Sequence, residues 1–208
     1  HFFYFLNKTF ITAFYRNKVN EEIPSYRIRL TGTYPNFYYL GEYVETDYNS
    51  TGLVAQHKKE FDFWNINLIG GLNVDYTPEN YYSEVIDVTK TQEGIYEDYK
   101  MTGKPIQDFQ AELLNTAAYL HIEAEPVKNL KLLAAARYDR LDYVYDNKLP
   151  PSAESGAADT KNTFDRVSPK VGATYQFKND VGLYTNVGVG FAQPLFNQLY
   201  KTVLLLIH

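Results

Sequence analysis

The 208-residue sequence contains no cysteine, one tryptophan and one methionine. Disulfides and thiol chemistry are therefore closed to it, although that leaves its compartment unassigned. No run approaches the about 18 consecutive apolar residues that mark a transmembrane helix. Bases are fewer than acids, 20 against 25, and a net charge of −5 argues against a general nucleic-acid binder. No initiating methionine and no signal peptide opens the sequence. His1 leads straight into "FFYFLNKTF", so it reads as part of something longer and its targeting is not legible. No nucleophile elbow, phosphate loop or catalytic triad is present, and no enzyme activity is expected. What is abundant is ring: 20 tyrosines and 13 phenylalanines. Such side chains favour pleated, half-buried surfaces.

The clearest periodic segment is Trp64 to Tyr76. Trp64, Ile66, Leu68, Gly70, Leu72, Val74 and Tyr76 share one face; Asn65, Asn67, Ile69, Gly71, Asn73 and Asp75 share the other. That is the period of a strand, held over more than twice the usual strand length of about five or six residues. The stretch "TAAYLHIEAEPVKNLKLLAAARYDRLDYVY" follows the same rule, despite alanines that suggest helix. Ala118, Leu120, Ile122 and Ala124 oppose Ala117, Tyr119, His121 and Glu123. After the break Glu125 to Asn129, Leu130, Leu132, Ala134, Ala136 and Tyr138 oppose Lys131, Leu133, Ala135, Arg137 and Asp139. Pro126 suits a turn between two strands. Ser168 to Phe177 and Val181 to Phe191 alternate likewise, while Thr9 to Arg16 and Ser50 to Glu60 do so more weakly. Seven long strands are expected.

Short connections at Phe61 to Phe63, Glu125 to Asn129 and Lys178 to Asp180 alternate with long ones at Lys18 to Asn49, Thr77 to Asp108 and Asp146 to Asn162. Tight turns at one end and long loops at the other match outer-membrane barrels, with turns periplasmic and loops extracellular. "PPSAESGAAD", Pro150 to Asp159, reads as a flexible loop tip. The apolar faces suit a hydrocarbon band about 25 Å tall. Tyr15, Tyr76, Tyr138, Tyr143, Tyr145 and Tyr175 stand near strand ends, where rings bridge hydrocarbon and headgroup. The expected fold is all-β: a fragment of a transmembrane antiparallel barrel. Seven strands leave two bare edges, so a complete barrel is not expected. A soluble β-sandwich binding module is the competing fold.

Three stretches carry a family resemblance: "TFITAFYRN" (Thr9 to Asn17), "LLAAARYDRLDY" (Leu132 to Tyr143) and "FDRVSPKVGATYQFKNDVGLYTNVGVGFAQPLFNQLY" (Phe164 to Tyr200). Together they resemble the β-barrel domain of TonB-dependent outer-membrane receptors, particularly the iron–siderophore type. The resemblance implies a barrel of 22 strands filled by an N-terminal plug. It also implies a Gram-negative outer-membrane location and uptake of a scarce ligand, usually a ferric siderophore, driven by TonB, ExbB and ExbD. Residues 1–208 would then be part of the barrel domain, with the plug, the TonB-contacting part and further strands elsewhere. The tail "KTVLLLIH", 201–208, departs from the polar loop expected there; a truncation or a shifted reading frame are its two candidate origins. A passive porin-like channel is the alternative transport reading.

No cofactor and no metal site is expected, since the chelator would hold the iron. His57 and His121 lack HxH or HExxH spacing and read as wall residues in contact with water. Asp139, Asp142 and Asp146 read as a solvated strand end beside Arg137 and Arg140. Gly188 and Gly190 sit in a strand, where glycine allows another backbone to approach. Ligand contact is assigned to the loops rather than to named residues. Thr33 to Asn49 carries six aromatics and three acids with no base, and Thr77 to Asp108 carries seven acids against three lysines. Arg137, Asn73, Lys170 and Asn186 are expected on the lumen face.

Overall fold

A computed structural model describes residues 7–25, 28–177, 181–190 and 192. It contains eight strands: β1 (Asn7–Glu22), β2 (Arg29–Thr33), β3 (Asn36–Phe61), β4 (Ile66–Lys90), β5 (Tyr96–Val127), β6 (Leu130–Asn147), β7 (Thr160–Gln176) and β8 (Gly182–Gly188). All belong to one antiparallel sheet in the order β1-β3-β4-β5-β6-β7-β8, with β2 folded back on β3. The seven strands along this path are the seven expected from periodicity, curled into part of a barrel; β2 is an addition. The expected turn Lys178 to Asp180, the strand end at Phe191 and the tail 201–208 lie outside the described residues.

Partners across an antiparallel ladder share a face, so the registers sort every side chain. One row reads Leu72, Ala118, Tyr138 and Val167 across β4 to β7. Its neighbours on the same face include Leu53, Leu120, Ala136, Val171 and Val187. This apolar face is uncovered: Leu72 is 59% exposed and Val187 70%. A sandwich would bury it between two sheets, so that alternative is excluded, and the face is the lipid-contacting one. From Ile122 to Leu114 it rises about 26 Å along β5 at the usual rise per residue, close to the hydrocarbon band of such barrels.

The strands do not stop there. β5 has 32 residues, roughly 105 Å at that rise. The segments Lys18 to Asn49 and Thr77 to Asp108, expected as loops, are therefore mostly strand. Alternation of polarity was the wrong guide beyond the bilayer, because both faces of the sheet find packing partners there. On the outward face, Tyr43, Ile86 and Val88 form a small core with Ile23, Ile28, Tyr39, Tyr82 and Tyr99. Ile23 and Ile28 come from the β1–β2 connection, which is tied down by the Ser25 amide donating to the Glu42 carbonyl at 2.6 Å. The segment Pro150 to Asp159 is likewise no loose tip. Ser152 and Gly156 exchange backbone hydrogen bonds, and Asn147 Nδ2 donates to the carbonyls of Ser155 and Ala157.

The short turns hold one correction. Trp64 was expected to open a strand, but it lies in a 3-10 turn, Phe63–Asn65, where Trp64 and Asn65 take φ of 54° and 44°. The chain reverses too sharply after Phe61 for Trp64 to join the ladder, and its ring stacks on Phe63 at 4.6 Å instead. Between β5 and β6 the ladder bulges between Ala124 and Val127. Pro126, which has no N–H to give, sits in that bulge.

Candidate functional site

The inward face of the membrane-spanning strands is the candidate surface for a passing ligand. Two stations recur on it, each built from a glycine, a ring, a guanidinium and a carboxylate. In the first, the Phe14 ring lies across Gly52, where a Cβ would stand 2.4 Å from Phe14 Cζ. The Arg16 guanidinium sits 4.9 Å from the Phe14 ring centroid. Its Nη2 donates to Ser50 Oγ and to Asp75 Oδ2, both at 2.7 Å, and Ser50 donates to Asp75 Oδ1 at 2.7 Å. One network thus stitches β1, β3 and β4.

In the second station the Tyr119 ring lies across Gly71, where a Cβ would meet Tyr119 Cζ at 2.3 Å. Its hydroxyl donates to Gln56 Oε1 at 2.8 Å. Arg137 lies 6.0 Å from that ring centroid and its Nε donates to both Asp139 oxygens, at 2.8 and 3.0 Å. Rings and guanidinia therefore lie along the wall rather than across the passage. Sequence reasoning did not find these stations. Their only local signal is glycine inside a strand, and the partner ring is known only once the register is.

Arg137, Asn73, Lys170 and Asn186 all fall on the inward face, as expected. Arg137 and Lys170 occupy adjacent rows of the β6–β7 ladder, opposite Ser168 and Ala135 respectively. Asn73 is separated from Asp139 by Ala117, and Asn186 pairs Gly172 one row below Lys170. Gly188 closes β8 beside the aliphatic stem of Lys170, whereas Gly190, expected within the strand, lies past its end with open space where a side chain would be.

The histidines separate. His121 is inward, with Nε2 3.1 Å from Glu123 Oε1. His57, expected on a polar wall, is outward, in the row of Thr9 and Gly70, with Nδ1 2.8 Å from Thr9 Oγ1. The period of two puts it with Leu53 and Ala55, not with Gln56. Among the described residues no group of three potential metal ligands occurs. The three aspartates divide between faces: Asp139 is inward, while Asp142 and Asp146 are outward. Asp142 accepts from Arg140 Nε at 2.9 Å and from Thr163 Oγ1 at 2.6 Å, and Asp146 pairs with Lys148. They form no shared site.

Above the bilayer the inward face becomes aromatic. Phe109, Ala111, Leu141, Tyr143 and Tyr145 are buried together, with Tyr81, Leu113, Ala157 and Phe164 against them. Tyr81 stacks on Phe109 at 4.9 Å and 7°, and Phe109 contacts Tyr145 at 5.2 Å. Tyr143 and Tyr145 were expected at a lipid interface. Their parity turns them inward instead, and each is 2% exposed; Tyr15, Tyr76, Tyr138 and Tyr175 do face outward. Glu79 shares a row with Tyr48, Ala111 and Tyr145. Burial pushes its carboxyl above the usual range.

With this geometry goes one match: residues 4–203 fit the family described as TonB dependent receptor-like, beta-barrel. The chain belongs to the TonB-dependent receptor β-barrel family. No curated protein matches it. TonB-dependent receptors are outer-membrane transport proteins rather than enzymes. In that setting the apolar outward face meets lipid, the inward face lines the barrel, and the extensions of β3, β4 and β5 project from the membrane.

Proposed function

We propose that the intact receptor takes up a ferric siderophore by active transport energised through TonB. Residues 1–208 form part of its barrel domain, and a plug and further strands complete it. The observation that carries this reading is the family match over residues 4–203. The siderophore assignment draws support from the stretches Leu132 to Tyr143 and Phe164 to Tyr200, which resemble the iron–siderophore type. The projecting strands, rich in tyrosine and acid, make the first contact with the ligand. Asn73, Arg137, Lys170 and Asn186 meet the plug or the passing ligand at the inward face. The chelator holds the iron, so the barrel supplies shape, rings and hydrogen bonds and no metal ligands.

The test is uptake of a panel of radiolabelled ferric chelates by cells carrying the full gene. Uptake should stop when the inner-membrane proton gradient is collapsed. Undiminished uptake after collapse would leave a passive channel. A carbohydrate or cobalamin as the only bound ligand would keep the receptor and remove the siderophore.

A further inference from the structure

Between β5, β6 and β7 the inward face has a hollow of about 350 Å³. Two rows of the sheet build it. The upper row is Tyr119, Arg137 and Ser168; the lower is His121, Ala135 and Lys170. Ala135 is the small residue in the middle, and the longer side chains around it make the walls.

The charges around this hollow do not cancel. Arg137, Lys170 and Arg166 supply three cations, and Arg166 stands opposite Asp139 one row further up. Asp139 and Glu123 supply two carboxylates. Both are already engaged, Asp139 by Arg137 and Glu123 by His121. Among the described residues neither Lys170 nor Arg166 has an ion-pair partner. The Lys170 stem lies beside Gly188, which leaves it room. The Ser168 hydroxyl oxygen is buried and makes no hydrogen bond. A buried hydroxyl without a partner is costly and is ordinarily satisfied in native proteins. A spare ammonium, the Arg137 donors that Asp139 leaves open and an unmet hydroxyl around a small floor are the complement of a carboxylate, which accepts from several donors at once.

We propose that the hollow over Ala135 is a seat for a carboxylate, held by Lys170, Arg137 and Ser168. Two sources share that chemistry: an acidic side chain of another part of the receptor lying in the lumen, or a carboxylate-bearing chelate on its way through. The seat rests on the barrel reading only in that its face meets the lumen, and on no particular ligand.

Lysine footprinting of the purified intact receptor tests it. A carboxylate beside an amine raises the amine's pKa, and each unit removes about nine-tenths of the reactive free amine. In the first arm, a zero-length carbodiimide crosslinker is added without ligand. An isopeptide bond from Lys170 to an Asp or Glu other than the wall residues Asp139 and Glu123 identifies a protein carboxylate; a bond to those two alone counts against the seat. In the second arm, ferric citrate is titrated while a water-soluble reagent acetylates lysines, with exposed Lys128 as reference. A roughly tenfold slowing at Lys170 alone, absent with sodium chloride of equal ionic strength, identifies a solute carboxylate. Ala135→Leu fills the floor and should abolish whichever signal is seen; Ala135→Val serves if that chain fails to insert. Absence of both signals overturns the seat, as does a signal that survives the filled floor. Failure here leaves the uptake assay unaffected, and loss of uptake with the signal intact would fault the siderophore reading instead.

Discussion

Tyr119 and Gly71 show how little room single residues leave on the inward face. The ring occupies the volume a side chain at position 71 would need. Gly71→Val should therefore cost about 1–3 kcal/mol by overpacking. It should also free the Tyr119 hydroxyl from Gln56. Tyr119→Ala should relieve most of that loss, so the double variant falls well short of the sum in a double-mutant cycle; additive effects would refute the packing account. Glu79 offers a second residue-scale outcome. Its carboxyl is raised by burial, so the folded state holds the proton more tightly than the unfolded one. The stabilisation is fully present below the ordinary glutamate range, about 4.3. It is lost as pH rises through the raised folded value. Glu79→Gln should flatten that slope and raise melting temperature at neutral pH in detergent, with little effect in acid.

At the scale of elements, the projecting β4–β5 hairpin depends on one carboxylate. The β4–β5 register shifts between Ser83 and Glu84 and again between Val85 and Ile86. The displaced β5 backbone is caught by Glu84, whose Oε1 accepts from the amides of Thr102 and Gly103 at 3.0 and 3.1 Å. Tyr82 donates its hydroxyl to the other oxygen. That hydrogen bond, with burial, pushes the Tyr82 phenol up to about 12. Glu84 is buried, so Glu84→Ala would strand two amides; losing hydrogen bonds to a charged group costs about 1.5–3 kcal/mol. The loss should be local. Trypsin should cut after Lys100 many times faster, while the membrane-spanning part stays folded. Unchanged proteolysis would show that the bulge holds without its anchor.

At the scale of the whole molecule, one sheet serves two solvents along its length. Leu72 and Asn73 are neighbours in β4 but belong to lipid and lumen respectively. Leu72→Arg in the intact receptor should cost about 2–4 kcal/mol, as expected for a charge at the bilayer midplane. Asn73→Arg should change stability by about half a kcal/mol or less. Unfolding measured in lipid vesicles checks both. Equal penalties would mean that the face assignment is wrong.

The period of two by itself determined the seven strands of the path, their lipid face and the place of two tight turns. Trp64 aside, every side chain from Ile66 to Tyr76 faces as its parity requires, because a strand in lipid must show an apolar residue at each second position. Above the bilayer that constraint lapses. Residues such as Val85, Ile86 and Tyr143 are apolar on either face, so periodicity could not tell strand from loop there, nor send Tyr143 and Tyr145 inward. Only the tertiary structure decided those matters, along with β2, the Glu84 anchor and the two ring-on-glycine stations. Each depends on which residue stands opposite which across strands far apart in sequence, and register is a property of the folded sheet rather than of any one segment.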